Sequence, residues 1–558
     1  MYIFWTRGVS GDFATTSNWI PAAVPGPADE AIIGANGTYT VTSSVDQTVD
    51  SLIIAQKHPT LFITGPSTFT MTNGGVNDGT IVVDSDSSMV IGTNTTNTTL
   101  LNVGTIDLDN SYLKIGLGEF GVTDSLTGGG HINLSGGGIF GGFSEGINTV
   151  VSDNTISGTG FINFSDGGQE AHGTWINQGI VDASTPNGTL SINHTIVENS
   201  SILEATNGGV LSFLVAPIDN AAQGVVEAKG ENSEVIMRGT LSSGDYTNAG
   251  LIEAIDSGTL VLNGFLQIDN FVNTTNGTIE AGHGSTVILE EATIVGGFVT
   301  TLKGGILEAE MIPSTITGAL VTNAGTIGAE GADLSIAGNV ANTGTLDANN
   351  AKLVIDGAVS GGKATLEGTG EIEFGGASAA HVTFAANSDA ILKLDDPSAF
   401  TGKVSGLTTG DYIDLTNINF ADNPTLSYST KTHVLTVTDS VCDVTDTITF
   451  KGVVGSFSAQ SDGSGGTFIT DPPAPANMVA VSDVHDTFVF APHLGENTST
   501  NFNAHNETID PPKSEFADFA ALLAHEHQDG AIPIAHDATD IVHHADVLTA
   551  QHPHDFLV

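Results

Sequence analysis

The stretch Asn248-Ala-Gly-Leu-Ile-Glu-Ala-Ile-Asp-Ser-Gly-Thr-Leu-Val-Leu262 joins an Asn-x-Gly turn, a short apolar strand, a glycine turn and a second apolar strand. The same phrase returns in other words. Asn323-Ala-Gly-Thr-Ile327 leads to Asp333-Leu-Ser-Ile336, and Asn342-Thr-Gly-Thr-Leu346 leads to Lys352-Leu-Val-Ile355. Asn177-Gln-Gly-Ile-Val181, Asn276-Gly-Thr-Ile279 and Asn77-Asp-Gly-Thr-Ile81 open further copies. Neighbouring copies lie 19 residues apart at Asn323 and Asn342, and 25 apart at Asn77 and Asn102. Self-similarity of this size predicts a solenoid. The apolar runs are too short for amphipathic helices, and they alternate as strands do. Glycine and asparagine tolerate the positive φ of a tight corner. A single unit cannot bury its own apolar face, whereas stacked units can, each strand pairing with its equivalent one rung away. The expectation is an all-β chain built as a parallel β-helix of about fifteen coils, on the order of 70 Å from the strand spacing. A β-sandwich array is the competing fold, since turn signals every 8–12 residues also fit it.

Composition narrows what such a rod can do. The chain has 558 residues, 63 acidic against 13 basic, for a formal net charge of −50. Only Arg7 and Arg238 are arginines. Nucleic-acid binding needs clustered cations against phosphate and is not expected, and anionic membrane surfaces are disfavoured on the same ground. The one cysteine, Cys442, allows no intrachain disulfide framework and no multi-thiolate metal site, and it reads as a small strand residue. No apolar run approaches the 18 residues of a membrane span. Met1-Tyr-Ile-Phe-Trp-Thr-Arg7 lacks a basic region ahead of its apolar residues, so it does not read as a signal peptide.

Residues 1–50 hold Trp5, Gly11-Asp-Phe13, Trp19-Ile-Pro21 and Pro25-Gly-Pro-Ala-Asp29. Bulky apolar residues suit a cap over the open end of a stack; an aromatic sugar-stacking platform is the other reading. With Tyr39-Thr-Val-Thr42 and Ser51-Leu-Ile-Ile54, this opening resembles large secreted haemagglutinin- or adhesin-like β-solenoid proteins of Gram-negative bacteria, over roughly residues 1–400. Residues 51–395 are the expected parallel β-helix repeats. Some corners there read Gly-x-Gly (Gly128 to Gly130, Gly158 to Gly160, Gly368 to Gly370), and Gly136 to Gly146, with Phe140 and Phe143, is expected to loop out of the stack. Residues 396–471 carry longer alternating strands at hairpin spacing, a β-rich closing module. Residues 472–477 form a proline-rich linker.

Residues 478–558 read as a small mixed α/β module. Asp486-Thr-Phe-Val-Phe490 and Thr508-Ile-Asp510 resemble the closing segment of type I-secreted (RTX-like) proteins. Phe516 to Ala524 has apolar residues at helical spacing. The final Asp555-Phe556-Leu557-Val558 is similar to a type I export signal, which implies a type I secretion transporter as partner and an extracellular or cell-surface location. The calcium nonapeptide of that family does not occur in series; Asp462-Gly-Ser-Gly-Gly466 comes nearest and reads as a turn. Isolated calcium sites built from carboxylates and turn carbonyls remain open, and no cofactor is expected to be required.

No catalytic constellation emerges. Arg238 and Lys229 could serve a lyase as base, but no acidic pair is expected to face them. Gly282-His-Gly284 stands without the other elements of a polygalacturonase site and reads as a turn. Carboxylates paired across coils are invisible in one sequence. Ten of seventeen histidines lie beyond residue 478, and His525-Glu-His527 has the wrong spacing for a helical zinc site. The weak metal candidates are therefore Asp462, His525 and His527. The expected function is an exported, non-enzymatic β-solenoid surface or matrix protein that contacts glycans, cells or matrix. The alternative is a secreted polysaccharide lyase or hydrolase on a pectin-lyase-like β-helix.

Overall fold

The computed structural model describes residues 1–470 apart from 93–95, 117–120, 142–147, 165–172, 239–245, 264–266, 270, 273–274 and 453–456. Beyond 470 it describes the backbone of six short strands, and between 264 and 276 it likewise describes backbone alone. The protein is 57% strand and 2% helix, wound as a parallel β-solenoid of about 16 turns, so the all-β reading holds and the sandwich does not. It divides into two compact units, residues 1–347 with 351–362, and residues 348–350 with 363–558.

In the first unit, apart from Trp19–Ile20 and the short hairpin Phe271–Val272 with Thr275–Asn276, the strands pair in parallel with their counterparts on the next rung. One inward column runs Val181, Leu203, Val226, Ile252, Ile279, Val299, Val321, Val340 in successive register. All eight are buried. Alternation places the residue between two inward ones on the outer face, which is why strands such as Ile202–Ala205 read half-buried, buried, half-buried, buried. At the start of the chain, Trp19–Ile20 runs antiparallel to Tyr2–Trp5 and covers its edge. Trp5 and Trp19 are 4% and 1% exposed and pack edge-on at 5.0 Å. Neither ring is available to a sugar.

Buried asparagines lock the corners. Asn177 donates through Nδ2 to Asn199 Oδ1 at 2.9 Å, Asn199 to Asn220 at 2.8 Å, and Asn220 to Asn248 at 2.8 Å. Asn323 donates likewise to Asn342 at 2.9 Å. The two sets occupy different corners. Asn248 ends a strand of the smaller sheet, whereas Asn323 and Asn342 continue a column that runs Ala228, Ala254, Ala281, Thr301 upstream. The motif therefore does not mark one phase of the coil, as its recurrence suggested. It marks any corner tight enough for an amide to bridge rungs. The interval between bonded asparagines also varies: 19 residues for Asn323 and Asn342, 28 for Asn220 and Asn248, and 52 for Asn102 and Asn154.

Of the stretch expected to loop out, residues 136–141 do not, while 142–146, with Phe143, lie outside the described residues. Strand His131–Gly141 continues through the former, pairing Gly138 with Tyr112 and Phe161, and Phe140 with Lys114. A Cβ on Gly138 would sit 2.4 Å from the Phe161 ring, and one on Gly141 would sit 2.1 Å from Phe164. These glycines make room for aromatic neighbours, a role that local sequence does not distinguish from turn formation.

In the second unit, Lys363–Glu367 pairs in parallel with His381–Phe384, and Glu371–Phe374 with Ile391–Leu394, which pairs in turn with Tyr412–Leu415. Antiparallel hairpins follow, as the spacing predicted: Thr425–Ser429, Val434–Asp439 and Val444–Phe450, then Ser458–Ser461 with Thr467–Thr470. Thr467–Thr470 closes back antiparallel on Tyr412–Leu415. Cys442 is not a strand residue; it is exposed in the turn between Val434–Asp439 and Val444–Phe450. The linker, the 516–524 helix and the terminal tetrapeptide lie outside the described residues.

Candidate functional site

In-register stacking turns a repeated outward residue into a row. On the longer sheet of the first unit the row reads Asp107, Asn133, Ser157, Asp182, Glu204, Glu227, Glu253, Glu280. Asn133 donates to Asp107 Oδ1 at 2.7 Å, Ser157 donates to Asn133 Oδ1 at 3.3 Å, and Thr206 donates to Asp182 Oδ1 at 2.9 Å. The carboxylates stand one rung, about 4.8 Å, apart. Burial, with Asp182 and Glu227 adding like charge, pushes Glu204 up to about 7. Burial, with Glu227 and Glu280, does the same to Glu253, also to about 7. Lys229 Nζ lies 3.9 Å from Glu227 Oε1. Glu227 stands two residues before Lys229 on strand Val225–Lys229 and so shares its face, and Glu204 and Glu253 flank Glu227 one rung to either side. Acidic groups do gather beside Lys229, contrary to expectation, because strand pairing joins these three glutamates. The signal was present as a repeated apolar-Glu-Ala phrase: Leu203 to Ala205, Val226 to Ala228, Ile252 to Ala254, Ile279 to Ala281.

On the next strand of the same three rungs that carry Asp107, Asn133 and Ser157, an aromatic cluster faces outward. Tyr112 and Phe140 rings lie 5.3 Å apart, and Phe140 and Phe161 rings 4.8 Å apart. Tyr112 is 37% exposed, and Lys114 Nζ stands 6.0 Å from its ring centre. Sequence reading placed the aromatic alternative at the tryptophans; here the rings come from three separate coils.

Asp462 of the turn Asp462-Gly-Ser-Gly-Gly466 does lie in an acidic cavity, of about 370 Å³, lined also by Glu371, Lys393, Asp395 and Asp414. The turn itself is as predicted, between Ser458–Ser461 and Thr467–Thr470. Asp414, 48 residues away and not anticipated, is 6% exposed with no hydrogen-bond partner for Oδ1. Burial, then the charge of Asp462, pushes it up to about 6. Lys393 binds Glu373 at 3.0 Å and lies 4.0 Å from Asp395. These oxygen donors are of the type calcium takes. In the turn around Cys442, its thiol donates to Asp422 Oδ2 at 3.6 Å, and one ligand atom each of Asp422, Asp439 and Cys442 lie within 4.8 Å of one another. His525, His527 and Asp555 to Val558 lie outside the described residues. His283 sits in a turn with Gly284 at φ +71°, as its glycines predicted.

Among the described residues no helix is long and apolar enough to cross a membrane. No protein-family profile matches the chain, and no curated protein matches it in sequence.

Proposed function

We propose that this is an exported, non-enzymatic surface or matrix protein that adheres to glycans through the outer faces of its solenoid. The observation that carries the reading is the outward trio Tyr112, Phe140 and Phe161 beside the hydrogen-bonded row Asp107, Asn133 and Ser157. Aromatic faces offer a flat apolar surface to the C–H face of a sugar ring, and polar side chains one strand away meet its hydroxyls. Rungs repeated at a fixed pitch suit a polymer whose units also repeat, and multivalency raises a weak contact to firm attachment. Substituting Tyr112→Ser with Phe161→Ser alters only surface positions. Retention on glycan-coated surfaces should fall at least tenfold with the circular dichroism spectrum unchanged. A wild-type protein that attaches to no glycan, cell or matrix surface in a panel would overturn the proposal.

Export through a type I transporter, addressed by Asp555 to Val558, belongs to the same proposal; release that persists after deletion of those four residues would refute it. Calcium held near Asp462 is a further part of it.

A second reading, a polysaccharide hydrolase, is favoured by the carboxylate row. Glu204 and Glu253 hold protons to about 7, as a general acid must, and flank Glu227 on adjacent rungs. Adjacent rungs approach the roughly 5–5.5 Å separation of retaining pairs. Reducing-end release from a polysaccharide panel, lost in Glu204→Gln and Glu227→Gln, would establish it; inactivity across the panel would remove it.

A further inference from the structure

The chain is short of cations, with 13 basic residues against 63 acidic ones. Yet three lysines and a histidine converge on one cavity of the second unit. Lys363, His381, Thr383, Lys403, Ser405 and Lys451 line a space of about 370 Å³, and no carboxylate is among them. They come from four separate segments. Lys363 pairs in register with His381, and Thr383 with Ser405; Val404 pairs with Phe450 and the Lys451 amide donates to Val404 O at 2.8 Å, which brings Lys451 beside Ser405. The Lys403 amide donates to His381 Nδ1 at 3.2 Å. That nitrogen is thus an acceptor, and the ring proton sits on Nε2 as a donor. Thr383 and Ser405 hydroxyls lie 3.1 Å apart, giving two more groups that donate or accept.

Gathering ammonium groups in a chain of net charge −50 is the reverse of what dispersing them over the acidic surface would achieve. Like charges repel, and a concave wall concentrates their field. The cost is relieved when an anion enters. We infer that this cavity binds an anionic saccharide unit, its carboxylate or sulfate held by Lys403 and Lys451 and its hydroxyls by Thr383, Ser405 and His381 Nε2–H. The space lies in the range of small-molecule sites, well above the need of a bare inorganic anion, and the lysine methylene stems supply an apolar wall for the sugar ring. The inference deepens the adhesive reading by naming a ligand class, but it concerns a different surface from the aromatic trio.

The test is calorimetric titration of the full chain with a β-linked oligoglucuronate trimer, with cellotriose as its neutral counterpart, and with inorganic phosphate and sulfate. The trimer should bind at least tenfold more tightly than cellotriose and lose affinity as salt rises. The exposed substitutions Lys403→Gln and Lys451→Gln should each weaken it roughly tenfold, the scale of a charge-assisted hydrogen bond. Tyr112→Ser should leave it unchanged, which separates this result from failure of the adhesive reading. Equal affinity for trimer and cellotriose, or trimer binding indifferent to both lysine variants, would overturn the inference. Phosphate or sulfate bound as tightly as the trimer would overturn the saccharide assignment.

Discussion

The asparagine ladder can be tested at Asn220, which is fully buried. Its Nδ2 donates to Asn248 Oδ1 at 2.8 Å and reaches the carbonyls of Gly224 at 3.1 Å and Leu251 at 3.2 Å, and its Oδ1 accepts from Asn199 Nδ2 at 2.8 Å. In Asn220→Ala the neighbours keep other bonds: Asn199 Nδ2 still reaches the Ser201 and Val225 carbonyls, and Asn248 Oδ1 still accepts from the Gly250 amide. The loss therefore falls in the middle of the range for a buried group deprived of its partner, about 2 kcal/mol. Asn220→Asp removes almost no volume but turns the donor into an acceptor aimed at three oxygens. An uncompensated buried charge costs about 3–5 kcal/mol, so the isosteric change should be the worse one at pH 7 and should recover in acid as the carboxyl protonates. Urea unfolding gives the magnitudes, and native-state hydrogen exchange shows whether the loss is centred on the rungs of Asn199, Asn220 and Asn248, as nearest-neighbour coupling in a repeat array requires. Alanine as damaging as aspartate, or both within about 0.5 kcal/mol of wild type, would mean that the amide ladder only fills space.

Three further outcomes are expected from the geometry. Glu204 and Glu253 have folded values of about 7, above their ordinary 4.5, so the folded state holds protons that the unfolded state releases. Their contribution is complete below about 4.5 and is lost as pH rises through about 7; unfolding temperature should fall across that window, and less steeply in Glu204→Gln with Glu253→Gln. Gly138→Ala should destabilise by about 1–3 kcal/mol through the Phe161 ring, but become neutral or favourable in a Phe161→Ala background, as double-mutant denaturation will show. Asp414→Asn should raise the unfolding temperature without divalent cations by removing a buried charge, and abolish any rise that calcium gives the wild type; a calcium increment equal in both proteins would dissociate Asp414 from cation binding.

How far the sequence spoke can be judged at particular residues. The Asn-x-Gly corners at Asn177 and Asn248, the alternating strands, and the hairpins between Thr425 and Thr470 were all legible, because each depends on residues within one turn or one strand. Local signals failed where a residue served a neighbour on another rung. Gly138 reads as part of a loop leaving the stack but makes space for Phe161, 23 residues on, and Cys442 reads as a strand residue but lies in an Asp439-anchored turn, its thiol on Asp422.

The sequence alone determined that the chain would stack: short β-branched runs with glycine and asparagine corners cannot bury themselves singly, and repetition supplies the partner. It also determined the acidic balance that disfavours nucleic acid. Only the tertiary structure decided which residue lies above which, since the rung interval changes from 18 residues (Lys363, His381) to 30 (Gly160, Leu190) and no fixed period predicts the register. Every candidate site here is a product of that register. The carboxylate row, the aromatic trio, the Asp414 cavity and the lysine cavity each draw on at least three strands or turns that only backbone pairing brings together.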